Sequence, residues 1–283
     1  MNDTELILNQ DDSLYHLNLK AGEISDLIIT VGDPGRVEKV SRHFDQVDLK
    51  KGGREFITHT GSIGKRRISV ISTGIGTDNI DIVLNELHVL HQLSTGEFYE
   101  PDQLTLIRLG TSGAVRTGIE LNTLLISDYA LGLDNLLQFY RWEHMAGEVA
   151  DLMKSDDRWR KLPKPYATAP DPVLADHFRP MADLSGVTVT TPGFYAPQGR
   201  SVNIMPRVSS LVDLLSESRF AGSDVTNIEM ETAGIYGMSA LLGHRALSIS
   251  AILANRLTGE FSRQASKTID NMIERALELA VEL

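Results

Sequence analysis

The chain has 283 residues, 42% of them hydrophobic, which is enough for one large core and lies at the upper edge of a single domain. It contains no cysteine, which excludes disulfides, thiolate nucleophiles and cysteine-based zinc sites and suits a reducing cytosol. Its net charge of -11 argues against nucleic acid as a partner, and an anionic substrate would need a local group of arginines.

The N-terminal segment is polar and acidic. MNDTELILNQDD has neither the basic start nor the apolar stretch of a secretion signal. No apolar run reaches the roughly 18 residues that a membrane span requires. We therefore expect a cytoplasmic protein without a membrane segment.

Six short apolar runs, rich in β-branched residues and bounded by turn residues, predict buried strands. They cover residues 27–31, 68–72, 104–109, 124–127, 187–191 and 247–253. A 3.6-residue apolar period predicts three helices. The first includes residues 80–90 with Asp78 or Asn79 as its cap, the second covers 229–242 and ends at Gly243, and the third covers 266–283.

The alternation of strands and helices predicts an α/β fold with a mixed, mostly parallel central sheet flanked by helices. No linker, repeat or low-complexity tract interrupts the sequence, so we expect one domain over residues 1–283. Residues 134–172 are the least regular part and contain both tryptophans, Trp142 and Trp159. We interpret them as an inserted helix and loop near the surface.

Two arginine-bearing motifs follow or continue predicted strands. In VGDPGR, residues 31–36, the chain turns into a helix start, where backbone N–H groups and Arg36 suit phosphate oxygens. A plain strand–helix connection with a surface arginine is the alternative. In IRLGTSG, residues 107–113, Arg108 lies in an otherwise apolar strand, so a carboxylate or a bound anion must face it.

Two further motifs have the chemistry of a nucleoside site. FYAPQGR, residues 194–200, offers an aromatic face, an amide and a guanidinium to a flat heterocycle with carbonyl groups; a packed surface loop is the alternative. In NIEMET, residues 227–232, Glu229 and Glu231 stand at a predicted helix start. They either stabilise the helix dipole or accept hydrogen bonds from vicinal sugar hydroxyls.

Two weaker signals favour plain interpretations. GREF, residues 53–56, contains Arg54 and is typical of an exposed Arg–Glu pair. His88 and His91 have the spacing of two metal ligands on a helix, but no third ligand stands out. We therefore expect a solvated helix face there and no metal site.

Taken in order, the motifs resemble the hexameric branch of the nucleoside phosphorylase family. The resemblance begins at Tyr15-His16-Leu17, runs to the end of the chain and weakens between residues 134 and 190. Its pieces are GDPGRVEKV (32–40), GREF (53–56), STGIGTDNI (72–80), IRLGTSGAV (107–115), FYAPQGR (194–200), NIEMET (227–232) and ANR (254–256). It implies the family's single-domain fold and phosphorolysis of a nucleoside, with inorganic phosphate as co-substrate and no cofactor.

The resemblance also implies roles for individual residues. The matched phosphate-binding positions are Gly32, Arg36, Arg54, Arg108 and Thr111. The matched ribose-binding positions are His16, Met230 and Glu231, and the matched base-binding positions are Phe194, Gln198, Arg200 and Glu229. Arg108, Thr111 and Glu231 are expected to be catalytic. Arg54 and His16 match residues that reach the site from a neighbouring subunit, so the resemblance implies a homo-oligomer with a dimer as its minimal active unit, and a hexamer as the full assembly.

Position 255 distinguishes two branches of the family. Purine-cleaving relatives carry an aspartic acid there to protonate the leaving purine, whereas this chain has Asn255, which cannot act as an acid. With FYAPQGR, this favours uridine as substrate. The alternatives are a purine nucleoside phosphorylase, a nucleosidase that uses water, and a non-catalytic nucleoside-binding protein. Bacterial relatives place a serine near an intersubunit potassium site, whereas this chain has Asn79. Potassium binding is therefore possible here and is not required by the resemblance.

Overall fold

A computed structural model describes residues 5–96 and 103–283. Residues 1–4, which begin the acidic N-terminal segment, and residues 97–102 lie outside the described part. The strands are β1 (Leu27–Val31), β2 (Gln46–Gly53), β3 (Phe56–Ile63), β4 (Arg66–Ser72), β5 (Thr105–Ala114), β6 (Leu124–Gly132), β7 (Tyr166–Thr168), β8 (Leu184–Thr190), β9 (Arg219–Phe220), β10 (Ser223–Glu229) and β11 (Arg245–Asn255). The α-helices are α1 (Pro34–Ser41), α2 (Thr77–Thr95), α3 (Ala146–Ser155), α4 (Pro172–Phe178), α5 (Leu211–Glu217), α6 (Thr232–Leu241) and α7 (Ala265–Ala280).

The strands form one mixed sheet in the order β2-β3-β4-β1-β5-β11-β6-β8-β10-β9, with β7 paired to β6. Parallel pairs join β4, β1, β5 and β11, and a second parallel block joins β6, β8 and β10. The two blocks meet in an antiparallel pair between β11 and β6. The end of β10 also pairs with the end of β5, so β5, β11, β6, β8 and β10 close into a ring. The predicted α/β fold with a helix-flanked central sheet is confirmed.

Helices cover both faces of the sheet because the central strands are apolar on both sides. In β1, Leu27, Ile29 and Val31 pack into one core cluster with α1, α4 and α7, whereas Ile28 packs into another with α2 and α6. A strand buried on both faces has the continuous apolar run that predicted it. A third cluster joins α3 and α5 to β8 and β10. None of the helices in the described ranges is long and apolar enough to cross a membrane.

Two predicted helix starts are wrong. Helix α2 begins after Gly76, which adopts a φ of 97°, and neither Asp78 nor Asn79 caps it. Instead, the carboxylate of Glu231 accepts the Gly76 N–H at 2.9 Å, so the cap comes from a distant part of the chain. Helix α6 begins at Thr232 and not at Glu229, because residues 223–229 form β10. Its C-terminal signal is correct, since Gly243 follows with a φ of 77°.

The interpretation of residues 134–172 as a surface insertion is wrong for one of its tryptophans. The segment does contain a helix, α3, and Trp142 is partly buried. Trp159, however, has no exposed surface and packs into the cluster formed with α3 and α5. The insertion therefore adds a core of its own beside β8 and β10.

The expectation of a solvated face at His88 and His91 is also wrong. Both imidazole rings pack against His244, and His88 Nδ1 lies 3.0 Å from His244 Nε2. His244 Nδ1 accepts the backbone N–H of Leu104 at 3.2 Å, and burial lowers the pKa of His244 to about 3. The described residues form no cluster of three or more His, Asp or Glu side chains suited to a metal ion.

Candidate active site

A cavity of about 990 Å³ opens where β1, β5, β10 and β11 end. Ligands of α/β sheets bind beyond the carboxyl ends of strands, and here the antiparallel pairing of β10 with β5 brings the ends of these two strands together. Ten of the twelve predicted site residues line the cavity: Gly32, Arg36, Arg108, Thr111, Phe194, Gln198, Arg200, Glu229, Met230 and Glu231. Arg54 and His16 do not line it. Residues separated by up to 199 positions in the sequence thus come together in one place.

The loop after β1 places Arg36 at one end of the cavity. Asp33 caps α1 by accepting the Gly35 N–H at 2.9 Å, and Pro34 occupies the first turn, where its missing N–H has no cost. The Arg36 guanidinium donates to the backbone oxygen of Leu109 at 3.1 Å. Burial and the nearby guanidinium of Arg108 lower the pKa of Arg36. Two cations therefore face the same end of the cavity, an arrangement that an anion would relieve.

Arg108 is buried and its partners are carboxylates of the protein. Its Nη2 lies 2.7 Å from Glu231 Oε2 and 2.8 Å from Glu229 Oε2. The negative charge that the sequence required opposite Arg108 thus comes from the protein itself, from two carboxylates 121 and 123 residues further along the chain. Burial alone would lower the pKa of Arg108, but the two carboxylates outweigh it and raise this pKa.

Gly110 is required by this arrangement. A Cβ at position 110 would lie 1.8 Å from Nη1 of Arg108, so no larger residue fits beside the guanidinium. The same Nη1 lies 3.3 Å from Ser250 Oγ and 3.4 Å from Ser248 Oγ, both on β11. Neighbouring strands therefore fix the guanidinium from two sides.

Glu229 and Glu231 sit between β10 and α6 and have different partners. Glu229 closes the strand, and its carboxylate accepts from Thr190 Oγ1 at 2.6 Å and from the backbone N–H groups of Glu231 and Thr232. It therefore satisfies the start of α6, as the helix-dipole interpretation predicted. Glu231 occupies the N-cap position, where burial and the adjacent Glu229 charge raise its pKa.

The loop after β8 forms the opposite end of the cavity. Arg200 lies over the ring of Phe194, with 3.6 Å between the guanidinium carbon and the ring centroid. Arg200 Nη1 donates to Gln198 Oε1 at 2.6 Å, and the NH₂ group of Gln198 donates to the backbone oxygen of Glu229 at 3.5 Å, which leaves its second N–H as a donor. Burial and Arg256 lower the pKa of Arg200 to about 10.

Arg256 is a residue near the site that the motifs gave no role. It lies directly after β11 and donates from Nη1 to the backbone oxygen of Gln198 at 3.1 Å. The only feature of the sequence that could have indicated a role for Arg256 was its place in the ANR motif. Phe261, 68% exposed at the mouth of the cavity, had no signal at all, because an isolated aromatic residue has no periodicity or motif.

Arg54 and His16 lie together outside the cavity of their own chain. Arg54 Nη2 donates to the hydroxyl of Tyr15 at 3.3 Å, and the guanidinium carbon lies 5.3 Å from the Tyr15 ring centroid. His16 contacts the same ring, and its Nδ1 lies 2.6 Å from Glu86 Oε1. Arg54 has a left-handed φ of 57°, a conformation that costs free energy for a residue with a side chain.

Asn255 does not line the cavity. Its Nδ2 donates to the backbone oxygens of Arg116 and Ile119 at 2.9 and 3.1 Å, and its Oδ1 accepts the N–H groups of Leu257 and Thr258 at 3.0 and 3.3 Å. All four bonds join two turns, one after β5 and one after β11. The side-chain amide of Asn255 therefore holds these two turns together.

Comparisons with known proteins relate the chain to nucleoside phosphorylases. The family model described as the phosphorylase superfamily matches residues 26–283. A uridine phosphorylase of Thermococcus kodakarensis is 32% identical over 95% of this chain and 87% of its own length. A DeoD-type purine nucleoside phosphorylase of Bacillus cereus is 28% identical over 94% of this chain and 98% of its own length. A solved Trypanosoma brucei nucleoside phosphorylase, described as showing uridine phosphorylase activity, superposes with a TM-score of 0.89 at 28% identity, over 98% of this chain and all of that chain.

Proposed function

The chain belongs to the phosphorylase superfamily, and on that basis we propose that it is a uridine phosphorylase, a pentosyltransferase of pyrimidine salvage in the cytoplasm. It cleaves uridine with inorganic phosphate into uracil and ribose 1-phosphate, reversibly. One observation carries this proposal: a single cavity is lined both by the interacting pair Arg36 and Arg108 and by the Phe194, Gln198 and Arg200 set.

The arginine end suits the phosphate nucleophile. Breaking the glycosidic bond gives the ribose oxocarbenium character, and a phosphate held beside it is both a positioned nucleophile and a stabilising anion. Arg36, Arg108, Thr111 and the backbone at Gly32 supply the donors, with Arg54 of a neighbouring subunit as the third arginine. A nucleosidase that uses water has no need of this set.

Glu231 is placed to bind the sugar. Its carboxylate links Arg108 to Gly76, so it is held rigidly between the phosphate end and the start of α2. In this scheme it accepts from the ribose hydroxyls, and Met230 packs beside it on the sugar. Because the phosphate and the sugar share the Arg108–Glu231 pair, both substrates are positioned by one buried unit.

The other end of the cavity suits uracil. Negative charge that develops on the departing base resides largely on its carbonyl oxygens, which donors stabilise without a proton transfer. In this scheme the second N–H of Gln198 and the remaining N–H groups of Arg200 donate to such acceptors, whereas the amino group of cytosine or adenine would face donors. Phe194 supplies the stacking face, and Glu229 contributes to the base side by holding the start of α6.

Substrate choice tests the proposal. With saturating phosphate, kcat/KM for uridine should exceed the values for cytidine, inosine and adenosine, since a site built for particular hydrogen bonds rejects analogues that lack them by up to about 10⁴–10⁵-fold. The DeoD-type relatives make purines the informative comparison. A value for inosine or adenosine equal to that for uridine would contradict the pyrimidine assignment while leaving phosphorolysis intact.

The position of Arg54 and His16 supports an active dimer and, by the family resemblance, a hexamer of three dimers. Both residues lie outside their own cavity, as expected if they complete the site of a second copy of the chain. Mixing inactive Arg54→Ala subunits with inactive Glu231→Ala subunits should restore activity, since one site of a mixed dimer collects only wild-type groups. Failure of complementation after demonstrated subunit exchange would refute the shared site.

The proposal allows a bound potassium ion but gives it no catalytic step. Glu55 and Asn79 both line the cavity, and their side chains carry a carboxylate and an amide oxygen. Oxygen donors of this kind suit hard cations such as potassium. Phosphate is the co-substrate, and no other cofactor is needed.

A further inference from the structure

A second cavity lies behind the loop that carries Phe194, Gln198 and Arg200. Its volume is about 480 Å³, within the range of about 300–1,000 Å³ that is common for small-molecule sites. Leu133, Leu162, Val208 and Leu211 give it an apolar lining. The proposed reaction uses none of these residues.

Three cations also line this cavity: Arg160, Lys161 and Arg207. Arg160 forms an exposed ion pair with Asp157 at 3.2 Å. Lys161 and Arg207 have no ion-pair partner within residues 5–96 and 103–283. Arg158 pairs directly with Asp156 and lowers the pKa of that carboxylate, and Lys161 contributes to the shift behind it. A chain with a net charge of -11 thus presents a local excess of positive charge at the edge of an apolar cavity. This combination favours a ligand with an anionic group on an apolar body.

We propose that this second cavity is a regulatory site for a small organic anion, a carboxylate or phosphate ester with an apolar or aromatic body. Lys161 and Arg207 bind the anionic group, and the leucines and valine cover the body. The proposal rests on the proposed function only for its effect on uridine; the binding itself is independent of it.

The two cavities share a wall, which couples them. Phe194 and Gln198 face the first cavity, and Ala196 and Pro197 of the same loop line the second. Phe194 and Tyr195 are 52% and 62% exposed, so the loop has little packing on its outer side. A ligand that fills the second cavity packs behind Pro197 and restricts the loop to one position. This order favours uridine binding, and by thermodynamic linkage uridine favours the effector equally.

Calorimetric titration tests the site directly. The probes are phenyl phosphate and 3-phenylpropanoate, which separate a phosphate source from a carboxylate source, with benzyl alcohol as the neutral comparison. Inorganic phosphate in large excess occupies the arginines of the first cavity. Binding of one or both anions should disappear in the double variant Lys161→Ala, Arg207→Ala. It should persist in Lys164→Ala, which removes an exposed cation of the same segment that does not line the cavity.

Steady-state kinetics tests the coupling. The bound anion should lower the KM for uridine by about fivefold, the lower part of the usual range of coupling, in the wild type and in Lys164→Ala but not in the double variant. Equal binding by the double variant, binding of benzyl alcohol alone, or absence of binding at millimolar probe would overturn the site. A changed oligomeric mass in the double variant would assign the surface to a second copy instead. Titration needs no nucleoside, so failure to cleave uridine would leave its result readable.

Discussion

Asn255→Asp separates two explanations of why this chain should prefer a pyrimidine. From sequence, the substitution restores the acid of purine-cleaving relatives. In the structure, the side chain is 4% exposed, and all four of its hydrogen bonds go to two turns and none to the cavity. We therefore expect the substitution to weaken the fold without producing a purine enzyme.

The cost follows from the two bonds that Asn255 donates. An ionised carboxyl cannot donate to the oxygens of Arg116 and Ile119, and each buried acceptor left without a partner costs about 1–3 kcal/mol, so the free energy of unfolding falls by about 2–6 kcal/mol. A protonated carboxyl retains one donor and loses about half as much. Burial beside two carbonyl oxygens raises the pKa of the introduced carboxyl, so the destabilisation grows as the pH rises from the unfolded pKa of about 3.9 through the folded one.

Thermal unfolding at fixed protein concentration measures this effect, and kcat/KM for uridine and inosine measures the consequence for substrate choice. The Tm of Asn255→Asp should lie further below wild type at pH 8 than at pH 5. Asn271→Asp, which adds the same charge at an exposed position of α7, should leave the Tm nearly unchanged. A variant of wild-type stability with increased inosine cleavage would refute the reasoning.

Three further outcomes follow from the site and the core. Arg108→Ala should lower kcat/KM with uridine by about 2–5 kcal/mol of transition-state free energy and also lower the Tm, because Glu229 and Glu231 lose their shared partner; normal turnover would exclude Arg108 from catalysis. Gln198→Ala and Arg200→Ala should each slow uridine cleavage by roughly 10–150-fold in steady-state assays, and unchanged rates would remove the proposed base contacts. Denaturant titration should show the wild type losing stability as the pH falls below about 6.5, by up to about 1.4 kcal/mol per pH unit, because the pKa of His244 is lowered to about 3 and the unfolded chain takes up the proton first. His244→Gln should reduce that slope, with the remainder coming from His59 and His88, whose pKa values burial also lowers, and an equal slope in this variant would assign it to other groups.

The parts of the fold that the sequence predicts well are those with a continuous apolar pattern. The buried strand β1 begins and ends where its apolar run does. Strand β2 was missed because its sequence, QVDLKKGG, alternates exposed and half-buried positions and carries charges. Strand β10 was missed because polar residues are buried beside its Val225 and Ile228. Among them, Asn227 donates to Ser112 Oγ at 2.9 Å and accepts from Thr188 Oγ1 at 2.9 Å, partners that no local pattern discloses.

The site divides in the same way. The ten residues that the motifs brought to one cavity follow β1 and β8, or lie in β5 and at the end of β10, whose end pairs with the end of β5. Sequence could not choose between a bound anion and a carboxylate as the partner of Arg108, because Glu229 and Glu231 reach it through tertiary structure. Nor could it give the direction of the Asn255 side chain, which depends on the turns it clamps.

The most direct test of phosphorolysis is the identity of the sugar product. Uridine incubated with the enzyme and inorganic phosphate should yield uracil and ribose 1-phosphate in equal amounts. The formation of ribose 1-phosphate is monitored by ³¹P NMR. In phosphate-free buffer, uracil release should cease. Uracil release at the same rate without phosphate, with free ribose as the product, would contradict the account and make the protein a nucleosidase.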